Sequence, residues 1–389
     1  MKKYLLLITL IIFLVALLIA SRFKGALPTI LPITSPQIEK DSKDNQVKND
    51  LGLKLADGFS IDIFAQNLSA PRDLVFDSSG TLLASIPSKG KVVALPDTDG
   101  DGKADKVIEI VTNMNRPHGL AFFEDRLYIV EETQVSSYHY DIQNLTASPD
   151  RVLFDLPKGG RHVTRTIAFK DNGAMFISIG STCDVCFEKH PLLATIIFSD
   201  KDGKTPQVFA KGLRNSVFIT VDPNTQKLWA TEMGRDFLGD NEPSDEINII
   251  EKDKDYGWPN CFGNKIADTR FNKSANQKTC ENTQPPTYEI CAHCAPLGLT
   301  FIQSAKFPKG WQDDLLVAYH GSWNSSNPVG YKVVRLNVEG EKIIDEVDFL
   351  SDFLKGNQTQ GRPVDLVFDK NGNLFISDDK AGLIYRIYK

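Results

Sequence analysis

The sequence predicts an all-β chain: a six-bladed β-propeller of four-stranded antiparallel blades, closed by an N-terminal strand and preceded by one N-terminal hydrophobic helix. A repeated hairpin is the first reason. RDLVFDSSGTLLASI (72–86), HGLAFFEDRLYIVEE (118–132), TRTIAFKDNGAMFISIG (core 166–180), SVFITVDPNTQKLWATEMG (216–234), LGLTFIQSAKFPKGWQDDLLVAYHG (297–321) and VDLVFDKNGNLFISDD (364–379) share one design. In each, a short apolar strand enters an Asp/Asn/Gly turn and leaves through a second apolar strand. Six such units, recurring at about 45 to 50 residues and further apart where insertions intervene, have the period of propeller blades. Composition is the second reason: 27 Gly, 20 Pro and 23 Phe against 4 Met suit strands and tight turns better than helices. The third is closure. The last copy supplies strands at 365–368, 374–377 and 383–388, while residues 58–65 (GFSIDIFA) form a strand ahead of the first copy. Pairing that strand beside 383–388 completes the sixth blade and removes two free edges.

Taken from the N-terminus, Lys2 and Lys3 precede an apolar run over 4–20 that ends at Ser21, Arg22, Phe23 and Lys24. Residues 1–24 read as a signal anchor or a signal peptide, because the run exceeds the usual ~7–15-residue signal core yet is near the lower limit for crossing ~30 Å of hydrocarbon. The expected location is therefore extracytoplasmic (periplasmic or cell-surface), with residues 4–20 holding the protein to the cytoplasmic membrane and no other membrane contact. Residues 25–50, with Pro28, Pro32, Pro36 and the polar stretch EKDSKDNQVKND, read as a disordered tether. Residues 51–389 form the propeller domain. They carry 37 Lys+Arg against 46 Asp+Glu, a sign that repels phosphate backbones, so nucleic-acid binding is not expected.

The six cysteines all follow the tether: Cys183 and Cys186 in CDVC, Cys261, Cys280, and Cys291 and Cys294 in CAHC. An even number behind an export signal favours disulfides, with Cys261 to Cys280 closing a Gly/Asn-rich insertion and each CxxC stapling a turn; two CxxC pairs also leave a zinc site open. At 97–105, DTDGDGKAD places Asp97, Asp99, Asp101 and Asp105 at alternating positions, the first half of a calcium loop, but Ile108 stands where an EF-hand needs Glu.

Four strings go beyond the repeat: RHVTRTIAF, GLRNSV, EMGRDFLGDNEPSDEIN and YHGSWNSSNPVGYKVVRL. With PDTDGDGKADKV, STCDVC, DYGWPNC and GRPVDLVFDKNGNLFISDDKAGLIYRI, they resemble the glucose/sorbosone dehydrogenase family over about 53–389, most closely its L-sorbosone dehydrogenase-like branch. The resemblance implies a six-bladed propeller that oxidises an aldose or sugar aldehyde with pyrroloquinoline quinone (PQQ) and Ca²⁺. It places a general base at His162, with Arg165 completing that string, and the cofactor against Arg214, Asn215, His320 and Arg362. Some relatives have Lys at the position of His320, and the family's pattern after Arg362 often contains a second Arg where this sequence has Pro363 and Val364. The carbonyls of Gly234 and Arg235 match the family's calcium ligands.

From the residues themselves, a neutral imidazole near its reference pKa of ~6.5 suits removal of a sugar hydroxyl proton at His162. Arg214 and Asn215 offer donors to an anionic cofactor, and Asp236 and Asp240 could add carboxylates to a hard cation. His118 and His320 stand at equivalent strand starts, so several blades are expected to aim imidazoles at one central pocket, with His118 near the cofactor. The sequence has no Cys-x-x-Cys-His haem motif, so electrons would pass to an external acceptor, a quinone or a cytochrome. Two other classes use such a scaffold: a calcium-dependent lactonase-type hydrolase, and a non-catalytic surface propeller binding glycan or protein.

Overall fold

The computed structural model describes residues 51–389. The expected hydrophobic segment (1–24) and tether (25–50) lie outside the described residues. The chain forms six antiparallel blades, whose inner strands are Leu74–Phe76, Gly119–Phe123, Ile167–Phe169, Ile219–Val221, Pro296–Phe301 and Pro363–Phe368. Five blades have four strands; blade 5 gains a fifth from Lys54–Leu55, paired to the outer strand Lys342–Ser351. Blade 6 closes as expected. Ser60–Ala65 pairs antiparallel with Leu383–Tyr388, in the register Ser60↔Tyr388 and Ile61↔Ile387. Among the described residues no helix is long and apolar enough to cross a membrane.

The near-continuous apolar second strands follow from burial on both faces. Successive residues of a strand point to opposite sides, so each second strand feeds two inter-blade joints. Leu82 packs toward blade 6 and Leu83 toward blade 2; Met175 and Phe176, Leu228 and Trp229, Leu316 and Val317, and Phe375 and Ile376 divide in the same way. The hairpin turns are built by acid side chains capping backbone amides. The Asp77 carboxylate accepts from the amides of Ser79, Gly80 and Thr81, each at 2.9 Å, and Gly80 turns at φ 99°.

Side chains near the axis latch each blade to the next. Asp365 Oδ2 accepts from the Leu74 amide at 2.8 Å, linking blade 6 to blade 1. His118 Nδ1 lies 3.1 Å from the Arg165 carbonyl oxygen, and Thr231 Oγ1 donates to the Leu297 carbonyl at 2.8 Å. Because all six inner strands run the same way along the axis, their N-terminal ends gather at one end of the propeller. The four resemblance strings feed that end.

Candidate functional site

A cleft of about 210 Å³ opens there, walled by blades 3, 4 and 5. Arg161 and His162 enter it from the loop ahead of blade 3, and Arg214 and Asn215 from the approach to blade 4. The loop between the second and third strands of blade 4 contributes Gly234 and Asp236. His293 comes from the crossing into blade 5, and Trp323 and Asn324 from that blade's own loop.

His162 is held by a network that determines its proton. Its Nδ1 lies 2.9 Å from Ser181 Oγ and 3.1 Å from the Ser181 carbonyl oxygen. Ser181 Oγ donates its only hydrogen to the Cys183 carbonyl at 2.7 Å, so toward His162 it can only accept. Both partners of Nδ1 are thus acceptors. The network assigns the hydrogen to Nδ1 and leaves Nε2 as a lone pair, with no hydrogen-bond partner among the described residues. Gly180 permits this placement, since a Cβ there would stand 2.6 Å from the His162 Cβ and 2.8 Å from Asn215 Oδ1. The ring's basicity differs from the sequence expectation. Burial, then the charges of Arg214 and Arg161, hold the imidazole down to about 3, far below the reference value.

Arg214 is fastened on both sides. Its Nε donates to the Asp184 carbonyl at 2.9 Å, one Nη2 bond goes to Asp184 Oδ1 at 2.8 Å, and Nη1 reaches the Met233 carbonyl at 3.2 Å. Asp184 sits between Cys183 and Cys186, which are joined, as are Cys261–Cys280 and Cys291–Cys294. The disulfide expectation holds and the zinc alternative falls, because no thiol remains free among the described residues. The Asn215 side-chain amide has only the Met233 sulfur, 3.4 Å away, as acceptor.

Two metal expectations fare differently. The carbonyls of Gly234 and Arg235 accept no hydrogen bond among the described residues, which fits ligation of a hard cation. The carboxylates expected beside them have other partners in this structure. Asp236 accepts from Arg161 at 2.6 Å, Arg214 at 3.3 Å and Asn324 at 2.8 Å, and Asp240 accepts from the Ser326 amide at 2.9 Å. The Arg235 guanidinium turns to Asp268, 2.6 Å away. Asp97, Asp99 and Asp101 do converge, on an outer loop of blade 1. There Asp97 accepts from the Gly100 and Gly102 amides, and Asp105 from Thr98.

Four expected cofactor residues do not line this cleft. His118 is buried between the Arg165 carbonyl and Arg72 Nε; burial, then the Arg72 charge, hold its imidazole well below the usual range. Arg165 is fully buried and bonds the carbonyls of His162, Thr164 and Pro157, so it braces the His162 loop from behind. His320 Nε2 meets Asp379 Oδ1 at 2.9 Å, and Asp379 in turn pairs with Arg72 at 2.7 Å. Arg362 directs Nε to the carbonyl of His320 and Nη2 to those of Gly321 and Ser322. Of the imidazoles expected to converge, only His162 lines the cleft, and the second ring there is His293.

His293 escaped the sequence reading although it lies inside CAHC; its Nε2 donates to the Gly239 carbonyl at 2.6 Å. Arg161, Asp184, Ser181, Trp323 and Asn324 were also missed, and each lies inside or beside one of the quoted strings. Asp245, beneath the cleft, accepts from the Gly234 and Ala295 amides at 2.8 Å each, and burial pushes its carboxyl up to about 7. Glu232 and Glu246, on the same blade, are raised by burial to about 8 and about 7.

The donor set suits an anion. Arg161, Arg214, Asn215 and Asn324 bring side-chain N–H groups to the cleft, while of its carboxylates Asp236 is held by Arg161, Arg214 and Asn324 and Asp245 by two amides.

The chain is similar to several known proteins. An uncharacterised protein of Borreliella burgdorferi is 31% identical over 358 residues, spanning 86% of this chain and 90% of that protein. A pyrroloquinoline quinone-dependent pyranose dehydrogenase of Coprinopsis cinerea is 26% identical over 86% of this chain, and the chain spans about half of that protein's length, 54%. Among solved structures, the calcium structure of the Trichoderma reesei family AA12 carbohydrate-active enzyme superposes with a TM-score of 0.77 at 22% identity, covering 92% of this chain and 98% of that one, a likeness of fold. The family description TrAA12-like matches residues 53–389, the whole propeller. The chain belongs to the TrAA12-like family.

Proposed function

We propose that the protein is a PQQ- and calcium-dependent oxidoreductase acting on sugars, with His162 as the base. The observation that carries this reading is the His162 network: a half-buried neutral imidazole whose Nδ1 faces two acceptors and whose Nε2 is left bare in a cleft rich in anion-binding donors. PQQ, when bound, supplies a two-electron acceptor for the hydride leaving the sugar carbon. Arg214 and Asn215 would hold it, and the free carbonyls of Gly234 and Arg235 would hold Ca²⁺. His162 Nε2 takes the sugar hydroxyl proton; burial and the charges of Arg214 and Arg161 hold its basicity down, an anionic cofactor held by those donors would offset the charges, and the Nδ1–H bonds to Ser181 keep the ring oriented while it is charged. Preorganised donors such as Arg214 are typically worth about 10²–10³ in rate each. Electrons leave to a separate quinone or cytochrome.

An extracytoplasmic location is supported by three disulfides among the described residues. Chain organisation is proposed as anchor or signal over 1–24, tether over 25–50 and propeller over 51–389. The lactonase-type reading receives no comparable support, since its metal centre needs free carboxylates converging in the cleft. Reconstitution with PQQ and Ca²⁺ over a panel of pyranoses and sorbosone-like aldehydes, with dye reduction as readout, tests the proposal. Dye reduction strictly dependent on PQQ supports it. Lactone hydrolysis without dye reduction would replace it.

A further inference from the structure

Phe237 and Trp323 stay unusually exposed for large aromatic side chains, at 50% and 45%. Leaving that much apolar surface in water forgoes the stabilisation that burial gives, yet the pair is built rather than loose. The rings meet edge to face, with centroids 5.9 Å apart and planes at 88°, which fixes the plane of Trp323. Their two loops are tied twice more, by Asn324 Nδ2 to Asp236 Oδ1 at 2.8 Å and by the Ser326 amide to Asp240 at 2.9 Å. Trp323 also lines the His162 cleft. The Arg161 guanidinium stands 5.5 Å from its ring centroid, steadied by Asp236, with Nε and Nη1 donating to nothing among the described residues. Asn324 Oδ1 is likewise an unused acceptor.

An apolar face bordered by an unused donor and an unused acceptor is complementary to a ring sugar. A pyranose shows C–H groups on its faces and hydroxyls around its edge; a small open-chain aldehyde has no such face to offer. Arg161 directly precedes His162, so a ring seated on Trp323 lies beside the base. We infer that Trp323, braced by Phe237 and flanked by Arg161 and Asn324, is the subsite that receives the reacting pyranose and selects ring sugars over short aldehydes. This rests on the oxidoreductase reading for the chemistry but not for the binding.

Two measurements test it. In the first, the full, cofactor-free protein is titrated calorimetrically with 1,5-anhydroglucitol, a pyranose with no anomeric hydroxyl to oxidise, so that the heat of binding is read whichever residue stands at 323. A saturable change in wild type that is lost in Trp323→Ala and retained in Trp323→Phe is expected. In the second, kcat/KM of the PQQ- and Ca²⁺-loaded enzyme is compared for glucose and for glyceraldehyde. Preference for the pyranose should fall about tenfold in Trp323→Ala, the scale of a lost aromatic contact, and recover in Trp323→Phe. No saturable change in wild type, an unaltered titration in Trp323→Ala, or an unaltered preference would overturn the inference. If no sugar is oxidised at all while the titration behaves as expected, the oxidoreductase reading fails and the subsite stands.

Discussion

The depressed basicity of His162 makes a prediction that needs no cofactor. Moving an imidazole from ~6.5 to about 3 corresponds to roughly 5 kcal/mol against its charged form. Burial is the largest contribution, followed by the charges of Arg214 and Arg161. Removing one of these charges should return part of the shift. A unit charge at a separation of about 6 Å and an effective dielectric of ~20 would be worth ~2 pKa units, but the Arg161 side chain is 38% exposed and screened, so about one unit is expected from Arg161→Gln. The assay is a ¹⁵N and ¹³C NMR titration of the histidine ring in cofactor-free protein. In wild type His162 should stay neutral from pH 8 to pH 5, in the tautomer with the hydrogen on Nδ1. In Arg161→Gln the onset of protonation should appear about one unit higher. A wild-type ring that titrates between pH 6 and 7 would refute the electrostatic account, and the opposite tautomer would refute the Ser181 argument.

The anchoring of Arg214 predicts that Asp184→Ala, which breaks a pair with side chains only 15% and 5% exposed, costs about 3 kcal/mol in urea unfolding and weakens PQQ binding; a loss below 1 kcal/mol would count against it. Glu232 keeps its proton in the folded state up to about pH 8, whereas the unfolded chain releases it near ~4.3, so its contribution to stability declines as pH rises through that window. Glu232→Gln should therefore flatten the fall of Tm between pH 6.5 and 8, and an unchanged slope would contradict the burial argument. If the 97–105 loop holds Ca²⁺, EDTA should lower the Tm of calcium-saturated protein and Asp99→Ala should reduce that effect; no change in Tm on chelation would dispose of that site.

The propeller was legible because blade geometry imposes a local signature. A second strand buried on both faces must be apolar at successive positions, as Leu82-Leu83 and Leu316-Val317 are, and the turn that follows the inner strand must supply an acid such as Asp77 and a glycine such as Gly80. Closure was legible because residues 58–65 had no partner of their own within the repeat. The site was legible only as strings. Sequence located the loops carrying His162, Arg214 and Asn215, but which side of a loop faces the cleft is set by contacts between blades. Arg165 could not be told from Arg161 without seeing that its guanidinium turns back to the His162 carbonyl. His118 lies just ahead of an inner strand, but His320, expected at a strand start as well, directly follows the second strand of blade 5, and Arg72 and Asp379 from the neighbouring blades take the two rings up. The depression of the His162 pKa was invisible for the same reason: burial of the ring, its largest cause, and the charge of Arg214, 52 positions away, both arise only through the fold.

The most direct test of the account is a comparison of wild type with His162→Ala, measuring PQQ affinity by equilibrium titration and turnover under saturating PQQ, Ca²⁺ and sugar. The account predicts that the variant folds and binds PQQ nearly as wild type does, because Arg214, Asn215 and Ca²⁺ remain. Turnover should nevertheless fall by about 10²–10⁴, the range for a positioned acid–base group. Turnover within a few-fold of wild type would contradict the assignment of His162 as the base.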